Sequence, residues 1–151
     1  MLKRFLKNEK GLTLIELLVV IVILGIIAAI AIPAIGSLID NSKKDAHIAN
    51  AEQMASAARM AIAQDGAGQT TFTMKELINS GYLEGIPESP GNDGAYNDES
   101  SQVAVNRSET EGNESTTYTV TLVGDTGNYL SGDVTDLERD NVELSPAASG
   151  S

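Results

Sequence analysis

The pattern of hydrophobic and polar positions divides the chain into three parts. Residues 1–11 are mostly polar and basic, residues 17–39 contain no charged residue, and the remainder alternates between polar stretches and short apolar runs. A helix of 23 residues spans roughly 34 Å. Because the hydrocarbon core of a bilayer is about 30 Å thick, the middle part predicts a helix that is able to span a membrane.

The segment 42–64 has the pattern of an amphipathic helix. Its apolar residues recur three and four positions apart, which places them on one helical face: Ile48, Ala51, Met54, Ala55, Ala58, Ala61 and Ile62. His47 lies in the same segment, where we expect it to be solvated or partly packed. The apolar face predicts packing against other elements of the same domain.

The two helical patterns allow two interpretations of the helix boundaries. Ser42 and Asp45 fit a capping box, so a break near residues 40–42 is one alternative. The interpretation that we favour is one long helix from Leu12 to about Gln64. Its first half needs lipid or other copies of the chain around it, and its second half can pack on a sheet.

Shorter elements follow the long helix. Thr73 and Glu76 form a second capping-box pattern, which predicts a short helix over residues 74–80. Thr116–Val123 alternates and predicts a strand with Tyr118, Val120 and Leu122 on one face. Weaker strands are predicted at 101–107, 128–131 and 142–144, with a loop over 84–100 and a hairpin connection over 108–115. The fold class is therefore α+β, with a long helix on a small antiparallel sheet.

The distribution of charge excludes several classes of function. The net charge is −11, and the chain from Lys75 onward holds three basic and fifteen acidic residues. Direct nucleic-acid binding is not expected, because phosphate recognition needs clustered Lys and Arg. The chain has no cysteine and one histidine, and no catalytic constellation is recognisable. We therefore expect a protein that is not an enzyme and needs no cofactor.

Three interpretations of the apolar run remain open at this point. It is a plain membrane anchor, a secretory signal cleaved at the small residues Ala29–Ala31, or a segment with a further role that depends on Glu16. The apolar part of a cleaved signal is usually 7–15 residues long, and this run is longer. A carboxylate near an apolar helix is costly, so Glu16 is the informative residue.

The residues around Glu16 resemble a known processing site. The string Lys10-Gly11-Leu12-Thr13-Leu14-Ile15-Glu16-Leu17 is similar to the leader junction of type IV pilins and type IV pilin-like proteins. The resemblance implies that a prepilin peptidase cuts after Gly11 and that Leu12 becomes the N-methylated first residue. Glu16 then takes the family's acidic fifth position. Leu12 departs from the phenylalanine that is usual there.

The resemblance also implies how the subunit assembles. In a filament, the Glu16 carboxylate of one copy pairs with the Leu12 amine of a neighbour and sets the axial register. Gly25 and Pro33 fall where many pilins loosen the helix, and Pro33 is expected to kink it. The implied partners are further copies of the chain, prepilin peptidase, a membrane platform protein with its assembly ATPase, and membrane lipid before assembly.

The resemblance gives a full set of expected domain boundaries. Residues 1–11 are a leader, 12–39 a transmembrane and filament-core helix, 40–65 the amphipathic half of that helix, 66–144 an acidic globular head and 145–151 a flexible tail. The expected location is the plasma membrane, as a single-pass protein with a cytoplasmic N-terminus. After assembly the expected location is an extracellular pilus.

Three functional hypotheses follow. The first is a subunit of a type IV pilus used in adhesion, motility or DNA uptake, and the second is a pseudopilin of a type II secretion or competence system. The third is an acidic binding domain tethered to the membrane without polymerising. Asp93, Asp98 and Glu99 in the loop are weak candidates for calcium ligands, although we favour a solvated acidic loop.

Overall fold

The computed structural model describes residues 9–65, 68–91, 94–110 and 113–145. Most of the predicted leader, most of the predicted tail and Asp93 lie outside these ranges. The chain divides into two compact units, Met1–Ile39 and Asp40–Ser151.

One helix, α1, runs from Glu9 to Asp65. It begins three residues before the predicted start and ends one residue after the predicted end. The alternative break near residues 40–42 is wrong, because the helix is continuous there. Ser42 and Asp45 therefore do not begin a new helix, and Asp45 is instead engaged by a distant residue.

The head contains a four-stranded antiparallel sheet. Its strands pair in the order β1-β2-β3-β4, and one short helix follows β1. The elements in chain order are β1 Thr71–Thr73, α2 Met74–Asn79, β2 Gln102–Thr110, β3 Asn113–Gly124, β4 Gly127–Asp133 and the 3₁₀ turn η1 Arg139–Asn141. The predicted α+β class, with a long helix on a small antiparallel sheet, is confirmed.

Two predicted elements of the head are wrong in detail. The connection over 108–115 is part of a longer β-hairpin, because β2 and β3 stay paired through Ser108↔Ser115 and as far as Thr110↔Asn113. Residues 142–144 do not form a strand, since only Val142 bridges to Leu130. The three-residue strand β1 was not predicted, and it pairs with the start of β2.

The core lies between the second half of α1 and the sheet. The helix contributes mostly alanine, and the sheet contributes the larger residues. The buried helix residues are Ala51, Met54, Ala55, Ala57, Ala58 and Ala61, and the buried strand residues include Val103, Val105, Val120, Leu122 and Leu130. The predicted stripe is confirmed, with Ile48 and Ile62 at its partly buried margin.

Helix α2 has the predicted capping box at its N-terminus. The Thr73 hydroxyl accepts from the Glu76 backbone N–H at 3.2 Å, and the Glu76 carboxylate accepts from the Thr73 N–H at 2.9 Å. These two bonds satisfy donors that the first helical turn leaves free. Gly81 follows the helix with φ +78°, a conformation that glycine adopts without a steric penalty.

A β-bulge turns an extra side chain of β4 into the core. Leu122 pairs with Leu130 but Val123 pairs with Asn128, so Tyr129 is the additional residue. A bulge redirects the side chains of the bulged strand, and Tyr129 and Leu130 are consequently both buried although they are adjacent. A β-carbon on Gly124 would lie 2.2 Å from Cε2 of the Tyr129 ring. The glycine therefore makes room for the ring.

The side chain of Ser101 forms hydrogen bonds with the backbone of β3. Its hydroxyl is fully buried, accepts from the Val123 N–H at 3.0 Å and donates to the Val123 carbonyl at 3.2 Å. The hydroxyl thus takes the role of a backbone partner for β3. A buried backbone group without a partner costs free energy, so this serine is part of the strand pairing.

Replacing Ser101 with alanine should lower the free energy of unfolding by about 1–3 kcal/mol, because the Val123 backbone loses a buried partner. Urea unfolding of the full chain in detergent micelles, followed by tyrosine near-UV circular dichroism, measures this change. Ser100→Ala, at the adjacent exposed position, is the matched control and should change stability by less than about 0.5 kcal/mol. Equal stability of the two variants would contradict the assigned role.

Candidate functional site

The first part of α1 is apolar on all sides. Every leucine, isoleucine and valine from Leu14 to Ile39 is exposed, with exposed fractions from 46% at Val20 to 71% at Ile30. A helix that is hydrophobic all round is normally buried in protein or in a membrane. The apolar surface of this unit therefore has to be covered by lipid or by other protein.

The described residues include one helix that is long and apolar enough to cross a membrane. This assignment rests on length and composition, and the helix that meets it extends from Thr13 to Gln64. The charged residues of the helix beyond Glu16 all follow Ile39. The part able to enter the hydrocarbon region is therefore the part that precedes Asp40.

Glu16 interrupts this apolar surface near its beginning. It is the one charged residue between Gly11 and Asp40, and it is exposed on the helix. The backbone is helical through Gly11 and Leu12. Leu12 and Glu16 are thus four residues apart on one helix, which is roughly 6 Å along its axis. Two turns of α1 therefore contain all three residues that are predicted to take part in processing and assembly: Gly11, Leu12 and Glu16.

Pro33 and Gly25 lie inside the continuous helix. Pro33 has no N–H to donate to the Ala29 carbonyl, which removes one helical hydrogen bond. A β-carbon on Gly25 would meet nothing within 4 Å, so packing against the described residues does not require this glycine. The predicted kink stays a prediction.

The loop candidates for calcium are engaged by α2. The Glu99 carboxylate accepts from Lys75 Nζ at 2.6 Å, and this hydrogen bond lowers the pKa of Glu99 and raises that of Lys75. The Asp98 carbonyl accepts from the Lys75 N–H. The described residues contain no group of three His, Cys, Asp or Glu side chains placed to hold a metal ion. With Asp93 outside the described ranges, calcium binding stays a prediction.

An ionic contact that the sequence did not predict joins α1 to the 3₁₀ turn η1. The Arg139 guanidinium donates to both carboxylate oxygens of Asp45, at 2.6 and 2.7 Å. Lys44 Nζ donates to the Arg139 carbonyl at 3.0 Å. The hydrogen bond from Arg139 lowers the pKa of Asp45. No sequence pattern indicates this contact, because its partners are 94 residues apart.

The comparison with protein families identifies the segment that surrounds Glu16. Residues 6–32 match the family model of the prokaryotic N-terminal methylation motif. No curated protein and no solved structure matches the chain. The motif covers the predicted cleavage position, Leu12, Glu16 and most of the apolar run, and it supports membrane anchoring through the N-terminal helix. The chain therefore carries the type IV pilin-type prepilin signal at its N-terminus, followed by an α+β domain consistent with the pilin fold.

Proposed function

We propose that the chain is a structural subunit of a type IV pilus. Prepilin peptidase cuts it after Gly11, the new Leu12 amine is methylated, and α1 holds the subunit in the plasma membrane with its N-terminus on the cytoplasmic side. A platform protein and an assembly ATPase then move the subunit into an extracellular filament that serves adhesion, motility or DNA uptake. The role is structural, without enzymatic activity.

The exposed carboxylate on the apolar helix is the observation that carries this proposal. Glu16 stands alone among exposed apolar side chains, and an unpaired charge in such surroundings is costly. The amine that cleavage creates at Leu12 is a cation at the same end of the helix. Pairing the two charges between neighbouring subunits offsets part of the desolvation cost and fixes the register of one helix against the next.

The surface charge of the head disfavours DNA binding by the filament itself. Removal of residues 1–11, which carry a net charge of +3, would change the net charge from −11 to −14. A filament of such subunits presents a strongly acidic surface. DNA uptake would therefore need a separate basic subunit, because phosphate groups bind to clustered cations.

The first experiment is a determination of the mature N-terminus. Intact mass and N-terminal sequencing of the protein from the membrane and from sheared surface material should give a methylated Leu12 as the first residue. Gly11→Val should retain Met1, because the enlarged side chain blocks the cleavage position. Gly25→Ala is the matched control, since it changes a glycine of the same helix outside the junction and should be processed normally.

The alternatives predict different results in the same experiment. A first residue of Ile32 indicates a cleaved secretory signal and a released protein. Retention of Met1 in the unaltered chain indicates a tethered domain. A mature Leu12 start with only short filaments that remain at the envelope indicates the pseudopilin of a secretion or competence system, which carries the same processing signal.

A further inference from the structure

Three aromatic side chains from three segments meet in the core of the head. They are His47 of α1, Tyr96 of the segment between α2 and β2, and the bulge residue Tyr129, and each is at least 98% buried. The Tyr129 ring stacks on His47 with a centroid distance of 4.8 Å, and the Tyr96 ring packs edge-on against both. His47 is the chain's single histidine, and the expectation that it would be solvated or partly packed is wrong.

A short series of hydrogen bonds connects these residues to α1. Asn50 Nδ2 donates to the Tyr96 hydroxyl and to the Glu88 carbonyl, both at 3.2 Å. The Tyr96 hydroxyl lies 2.6 Å from His47 Nδ1. Because the Asn50 amide nitrogen can only donate, the tyrosine oxygen accepts from it and is free to donate its proton to His47. The arrangement suits a neutral imidazole with its hydrogen on Nε2.

The surroundings of His47 disfavour its charged form. Burial lowers the pKa of His47 to about 4 and raises the pKa of Tyr96 to about 12, so both groups are neutral at pH 7. His47 Nε2 and the Tyr129 hydroxyl are buried without a hydrogen-bond partner among the described residues. A proton added to His47 would therefore enter a site that supplies no anion to pair with it.

We propose that His47, Tyr96 and Tyr129 form an acid-sensitive latch that fastens residues 84–91 and 94–97 to α1 and releases this segment when His47 is protonated. The proposal concerns the head alone and does not depend on filament assembly. Protonation has two effects on the latch. It places a charge in the core, and it turns His47 Nδ1 from an acceptor into a donor, so that the Tyr96 hydroxyl faces two donors.

The ionisable groups on the neighbouring elements do not compensate this charge. The loop contributes the phenol of Tyr96 and the exposed residue Glu88, whose carbonyl accepts from Asn50, and β4 contributes the phenol of Tyr129. On α1, Lys44 and Asp45 precede His47 by three and two residues and are engaged by Arg139 of η1. Glu143 follows η1, and its backbone N–H donates a hydrogen bond to the Tyr129 carbonyl. Burial is the cause of the lowered pKa of His47, with no contribution from a nearby charge.

The direction of the pH effect follows from proton linkage. A released or unfolded His47 has its ordinary pKa of 6.5 and binds a proton more readily than the latched form does. The latch is therefore unaffected above pH 6.5 and weakens as the pH falls from 6.5 towards 4. Each pKa unit is a factor of ten in the equilibrium. The lowering of the His47 pKa from 6.5 to about 4 therefore corresponds to a roughly 300-fold increase in the equilibrium constant for release, which is reached in full below pH 4.

The test uses the full chain in detergent micelles between pH 7 and 4. Amide hydrogen exchange, corrected for the intrinsic pH dependence, should show protection of residues 84–91 and 94–97 falling at least tenfold over this range. In His47→Gln, which keeps a polar side chain but cannot titrate in this range, protection of the same residues should stay constant. The amides of β2 and β3 that pair over Val105–Arg107 and Thr116–Tyr118 lie outside the latch and serve as the internal reference.

A second measurement keeps the proposal testable if His47→Gln does not fold. Nuclear magnetic resonance of the unaltered chain with labelled histidine follows the titration of His47 alone. The midpoint of this titration should lie near pH 4, and the loss of amide protection should occur over the same pH range. A midpoint near 6.5 without any change in exchange overturns the latch. So does a pH profile of the unaltered chain that coincides with that of His47→Gln, since the carboxylates alone would then explain it.

Discussion

Glu16→Ala should leave the protein processed and bound to the membrane but nearly unable to form filaments. In the proposed filament, each subunit added without the carboxylate would bring a Leu12 amine into an apolar interior without its partner. Removing one member of a buried ion pair costs about 3–5 kcal/mol, which corresponds to more than a hundredfold in the affinity for adding a subunit. Electron microscopy and quantification of sheared surface material measure the expected loss.

The control for this prediction is the neighbouring residue. Ile15 is exposed on the same helix, and Ile15→Ala removes apolar surface without removing a charge, so filament yield should fall much less. The N-terminus of each variant has to be determined as well. A Glu16→Ala protein that starts at Met1 would place Glu16 in recognition by the peptidase, and a normal filament yield would exclude the proposed pairing.

Gly124→Ala should strongly destabilise the head. The new β-carbon would lie 2.2 Å from Cε2 of the Tyr129 ring, which is 1% exposed and packs against His47 and Tyr96. Overpacking of this kind costs about 1–3 kcal/mol, and we expect a value near the upper limit because the ring also stacks on His47. Thermal or urea unfolding in micelles, followed by the tyrosine near-UV signal, measures the change.

Gly85→Ala is the matched control for Gly124→Ala. A β-carbon at Gly85 would meet nothing within 4 Å, so this variant should unfold like the unaltered chain. The clash itself is tested by combining Gly124→Ala with Tyr129→Leu. If the ring is the obstacle, the alanine should cost much less in the Tyr129→Leu background than alone, and equal costs in both backgrounds would refute the explanation.

The elements with a strong hydrophobic period were predictable from the sequence. The helix over 42–64 and the buried face of β3 each show a period that matches one kind of element, and tertiary packing supports it. The hairpin over 108–115 was not predictable in this way. Its residues are polar on both faces, so their pairing depends on backbone hydrogen bonds and carries no alternation of hydrophobicity.

The segment around Glu16 was easier to predict from the sequence than the buried cluster around His47. Gly11, Leu12 and Glu16 form a contiguous pattern, and contiguous patterns can be read from one sequence. The burial of His47 depends on Tyr96 and Tyr129, and Tyr129 turns inward only because of a bulge. Such contacts join residues that are distant along the chain, and their residue types alone do not indicate which of them meet.

The contact of Arg139 with Asp45 has a consequence for how the head is closed. The chain has no cysteine, so the segment after β4 is held on α1 by charge and packing instead of a covalent bond. Such a closure needs no thiol oxidase or isomerase and forms as soon as the two surfaces meet. The contact weakens as the ionic strength rises, because exposed charges are screened by salt. It does not depend on the redox potential of the surroundings.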